Sequence, residues 1–142
     1  ASRYAGFTAA DAATEPWIGV NPNHVEINAA EEFDDPDSVY GFYKKLIAMR
    51  HNNATIATGE WNLVAADSEQ VYSFTRTSGD DTILVIVNLT DRTAQVPAEV
   101  AQLLEDGVGE SQVLLSTYDA VHGVKSIARG ELARWEGVVI QL

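Results

Sequence analysis

The chain contains no cysteine among its 142 residues. Disulfide staples and thiolate chemistry are excluded, and a zinc ion would depend on histidine and carboxylate ligands alone. The absence fits a reducing compartment, and the cytoplasm is the expected location. Basic residues are also sparse: 9 Lys and Arg stand against 21 Asp and Glu, for a net charge of −12. Affinity for phosphate backbones comes largely from Lys and Arg, so neither nucleic acid nor an anionic membrane is an expected partner. The acidic excess reads as a solubility feature. No apolar run approaches the ~18 residues that mark a membrane span. The longest, Ile83-Leu84-Val85-Ile86-Val87, has the length of one buried strand. No basic n-region with an apolar h-region follows Ala1, so no signal peptide is expected, and a start other than Met reads as a processed or cut chain.

What is present divides into three unlike parts. Residues 1 to about 35 show no sustained period and are dotted with Gly6, Pro16, Gly19, Asn21, Pro22, Asn23 and Asn28, so they read as a long irregular segment. Such loops are uncommon inside compact domains and usually serve function or a larger body. Yet this one carries Tyr4, Phe7, Trp17, Ile18, Val20, Val25 and Ile27, more apolar groups than a disordered tail would hold. It looks built to pack against something.

The second part predicts one helix over about 36–51. Val39, Phe42, Tyr43, Leu46 and Ile47 form an apolar stripe at helical spacing. Asp35 is placed as N-cap and Pro36 at the first helical position. Asp34, Asp35 and Asp37 suit the positive end of the dipole, Lys44, Lys45 and Arg50 the negative end, and Asn52-Asn53 the stop.

The third part, 58–142, is strand-rich. Strands are expected over 61–65, 71–77, 83–89, 93–96, 112–116, 126–128 and 138–142. Ser78-Gly79-Asp80-Asp81 is a hairpin loop, and the strand after it, apolar on both faces, should be central. Glu99 to Leu104 suggests a helical turn, Gly107-Val108-Gly109 a turn, and Asp119 to Val124 a turn or loop. Short strands without long intervening helices predict an antiparallel β-sandwich, so the fold class is mainly β.

Candidate sites are few. His24, His51 and His122 lie far apart, none in an H-x-x-x-H or H-E-x-x-H pattern, so no metal is expected. Asp34-Asp35-Pro36-Asp37 fits a helix start better than a calcium loop. No nucleophile elbow or Gly-rich phosphate loop occurs, so no cofactor is expected. Asn88-Leu89-Thr90 matches a glycosylation sequon and reads as a strand end turning at Asp91. Glu15, Glu26, Glu31 and Glu32 lie in the irregular segment as solvated acids, with nothing to pair or bury them. Trp17, in a Pro-Trp-Ile context, suits packing better than stacking on a sugar. A sugar-binding module would carry a row of exposed aromatics, whereas Trp17, Trp61 and Trp135 are scattered singly among apolar neighbours. No catalytic residue is expected.

Three blocks carry a resemblance. Ala5-Gly6-Phe7-Thr8, with Pro16-Trp17-Ile18-Gly19-Val20-Asn21-Pro22-Asn23 and then Ile27-Asn28, is similar to an A-G-F-T … P-W-I-x-V-N-P-N … I-N block of α-glucosidases and oligo-1,6-glucosidases in glycoside hydrolase family 13, part of the α-amylase superfamily. The helix, with Asp35, Pro36, Ser38, Val39, Phe42, Tyr43, Lys44, Lys45, Leu46, Ile47, Met49 and Arg50, resembles that family's D-P-x-S-[VI]-x-x-[FY]-Y-[KR]-K-L-I-x-[LM]-R. Leu132 to Ile140 is similar to its looser L-x-P-[WY]-E-A-x-V-[YI] close, with Arg134 where Pro is usual.

The resemblance implies a (β/α)8 catalytic barrel followed by an antiparallel sandwich. Residues 1–57 would be the barrel's tail, the loop after strand eight and then its last helix, and 58–142 the C-terminal domain. The family's catalytic carboxylates would lie upstream of Ala1. The expected partners are therefore the missing barrel of the same polypeptide and, for the whole enzyme, an oligosaccharide, with self-association through an orphaned apolar surface.

Overall fold

The computed structural model describes residues 2–106 and 112–142. The chain forms two compact units, Ala1–Ala48 and Met49–Leu142.

In the first unit the segment read as irregular holds two single-turn helices. A 3-10 turn, η1, spans Pro22–Val25, and Asn21 caps it by accepting a hydrogen bond from the Asn23 amide. Helix α1, Ala29–Glu32, is capped by Asn28, whose side chain accepts from the amides of Ala30 and Glu31. The asparagines that looked like loop breakers are the caps. Helix α2 spans Val39–Asn52, not 36–51. Its first turn is fixed three residues later than expected because Asp35 Oδ1 accepts from the Asp37 amide and holds Pro36 in a turn. Ser38 then caps: its Oγ accepts from the Gly41 amide at 3.0 Å and its carbonyl from that of Phe42 at 2.9 Å. Helix α2 buries no residue; Phe42 and Leu46 are half-buried, while Val39, Tyr43 and Ile47 are exposed.

The second unit opens with the last turn of α2 and continues with helix α3, Ala54–Thr58, where the sequence suggested only a stop. Asn53 begins a new helix by accepting from the Ile56 amide at 2.9 Å. Strands β1 (Glu60–Val64), β2 (Val71–Ser78) and β3 (Asp81–Asn88) follow. Ser78 pairs with Asp81, so Gly79, at φ 61°, and Asp80 form the hairpin turn. Then come β4 (Ala94–Gln95), helix α4 (Ala98–Asp106) and β5 (Gln112–Ser116). Helix α5 (Ala120–Arg129), β6 (Glu131–Leu132) and β7 (Gly137–Gln141) close the chain. Residues 119–124 are therefore no loop and 126–128 no strand. Asp119 caps α5 through the His122 amide, and Gly130, at φ 68°, ends it in the left-handed conformation that favours glycine. The turn expected at Gly107-Val108-Gly109 lies outside the described residues.

Five strands form one antiparallel sheet in the order β1-β2-β3-β7-β5, with β3 central as its two apolar faces predict. One face carries Val71, Leu84, Ile86, Val138 and Ile140, which cluster with Ala94 and Leu132 of a β4–β6 ribbon and with Val100 of α4. The second layer is thus a two-stranded ribbon with α4 and α5 beside it, so helix and antiparallel sheet are mixed where a mainly β fold was expected.

Candidate functional site

The histidines occupy three unrelated settings. His24 ends η1 with Nδ1 2.9 Å from the Asn21 carbonyl, His51 lies in the last turn of α2, and His122 lies in α5. Among the described residues no three His, Asp or Glu side chains converge as metal ligands. The carboxylates of the first unit are similarly dispersed. Glu15 stands 3.6 Å from Arg3 in an exposed pair, Glu32 accepts from the Tyr40 amide, and Glu26 and Glu31 face solvent. Trp17 is 94% exposed, so it anchors nothing in this chain.

The sequon asparagine, by contrast, is built in. Asn88 ends β3 with its side chain buried. Its Nδ2 donates to the carbonyls of Arg92 and Ala133 at 2.7 and 2.8 Å, and its Oδ1 accepts from the Thr90 amide and hydroxyl. An amide already committed on both sides has no nitrogen to offer a glycosylating enzyme, and this network is what turns the strand end.

Two groupings escaped the sequence. The first surrounds Glu136, which among the described residues is the one fully buried charged side chain. Its Oε2 accepts from the Ser126 hydroxyl at 2.9 Å and the Ala133 amide at 2.7 Å, and lies 3.6 Å from His122 Nε2. Tyr118 stacks on the His122 ring at 4.6 Å. Serine, histidine and a carboxylate invite comparison with a nucleophilic triad, but the order is wrong. The serine donates to the carboxylate, not to the imidazole, so no base is placed to activate it. The cluster ties α5 to the turn before β7, and Trp135, at φ 55°, sits at the top of that turn.

The second grouping lies on the outer face of the sheet. Strand register brings Trp61, Leu63, Tyr72, Phe74 and Arg76 to one face of β1 and β2. The Trp61 and Phe74 rings are 6.3 Å apart and those of Phe74 and Tyr72 5.7 Å, while Trp61, Leu63 and Tyr72 are each more than two-fifths exposed. Trp61 is thus one end of an aromatic row, which corrects the expectation of tryptophans standing alone. Spacing along β1 cannot reveal the row, because its other members come from β2.

Among the described residues these features define a mixture of helices and antiparallel sheet without a convergent catalytic constellation, preceded by a unit rich in exposed aromatic groups. Residues 1–59 are matched by the family model for the alpha amylase catalytic domain. Over nearly its whole length the chain is similar to the oligo-1,6-glucosidase of Parageobacillus thermoglucosidasius, 34% identical over an alignment that covers 99% of this chain and 24% of that protein. It is likewise similar to the oligo-1,6-glucosidase of Bacillus cereus, 34% identical over 98% of this chain and 23% of that protein. Among solved structures, the trehalulose synthase MutB from Pseudomonas mesoacidophila MX-45 superposes with a TM-score of 0.68 at 28% identity, over 89% of this chain and 22% of that one. The chain spans about a quarter of the length of the curated relatives it matches. Among the described residues no helix is long and apolar enough to cross a membrane.

Proposed function

We propose that the chain is the C-terminal part of a retaining α-glucosidase of the α-amylase superfamily, comprising the tail of the (β/α)8 barrel and a sandwich-type C-terminal domain. The observation that carries this reading is its similarity along nearly the whole chain to oligo-1,6-glucosidases four times its length. The family-model match over residues 1–59 supports a division in which the barrel tail ends near residue 57. The exposure of Phe7, Trp17, Ile18 and Ile27 suits a surface meant for a body outside the chain. That body is the barrel, which in this reading holds the catalytic carboxylates, and the enzyme works in the cytoplasm on oligosaccharides.

A retaining glycosidase needs two carboxyl groups ~5–5.5 Å apart, one as nucleophile and one as acid/base. Glu136 cannot serve as either: it is sealed from solvent and its Oε2 is held by Ser126 and Ala133. The C-terminal domain acts as scaffold. The purified chain is expected to release no nitrophenol from a 4-nitrophenyl α-glucoside, while the polypeptide translated from the contiguous reading frame releases glucose from isomaltose or maltose. Turnover by the chain alone overturns the reading.

The likeness to a trehalulose synthase, whose structure has also been solved with its substrate sucrose, favours a second reading in which the enzyme isomerises its substrate. Sucrose given to the full polypeptide separates the two, since an isomerase returns a disaccharide where a hydrolase returns monosaccharides.

A further inference from the structure

We draw no further inference here: the strongest candidate, the buried side-chain cluster of Glu136, Ser126 and His122 between helix α5 and the turn before β7, belongs to the packing already described, and among the described residues it gathers neither a third metal-ligating group nor a base that could activate the serine.

Discussion

At the scale of single residues, the chain places its most constrained chemistry where composition gives no hint. Glu136 is one of 21 acidic residues, and only the folded structure shows it sealed beneath α5. Its value lies in two donors it satisfies, the Ser126 hydroxyl and the Ala133 amide. Glu136→Ala leaves both unpaired and opens a void, and should cost about 3 kcal/mol. Glu136→Gln keeps a carbonyl oxygen for both donors and turns an amide group toward the side where Oε1 has no partner. It should cost only about 1 kcal/mol. Urea unfolding at unchanged m-value measures the difference. Equal losses in the two variants would mean that the charge facing His122, 3.6 Å away, matters more than the hydrogen bonds.

At the scale of elements, what could be read was whatever a single strong signal dictated. Strand β3 is apolar on both faces because both are covered or half-covered, and its central place followed from that. The Gly79-Asp80 turn needed a residue at positive φ, and glycine supplies it. Helix α5 sent the opposite message. Its visible apolar residues Val121 and Val124 are exposed, and the residues it buries are Gly123 and Ser126. Ile127 packs against the core cluster near the helix end, but the small residues of the earlier turns carry little apolar signal, so 119–124 read as a turn or loop.

Gly123 is there for closeness. A Cβ added to it would stand 3.0 Å from Ser116 Cβ and 3.3 Å from a Val113 methyl on β5. Gly123→Ala gains about 1 kcal/mol of helix propensity but overpacks this contact by about 1–3 kcal/mol. A net loss of about 1 kcal/mol is the expected result in thermal or denaturant unfolding. Removing the opposing Cβ with Ser116→Gly should reverse the sign of the alanine effect. A double-mutant cycle without coupling would show that α5 does not rest on β5 at this point.

At the scale of the molecule, the two units follow different rules. The unit of Met49–Leu142 has a core, with Leu84, Ile86, Val138 and Ile140 at 1% exposure or less. Among the described residues of Ala1–Ala48 most large apolar groups are exposed, Phe42 and Leu46 are half-buried, and Tyr4 is the one large hydrophobic group buried. Periodicity predicted the stripe on α2 but could not say what covers it, because a stripe records the need for a partner and not the partner's identity. The same holds for Trp17: it was expected to pack, and no surface among the described residues covers it. Exposed apolar groups of this extent favour association. Sedimentation of the purified chain should therefore show mass rising with concentration. The paired substitution Tyr43→Lys/Ile47→Lys on the exposed side of α2 should return it to monomer, while the melting of the β-rich unit stays in place. Lysine is the informative choice, since it lowers the net negative charge and so weakens repulsion between copies. A monomer obtained in spite of weaker repulsion assigns the association to the lost apolar contact, whereas a wild-type chain that sediments as a monomer at every concentration refutes it.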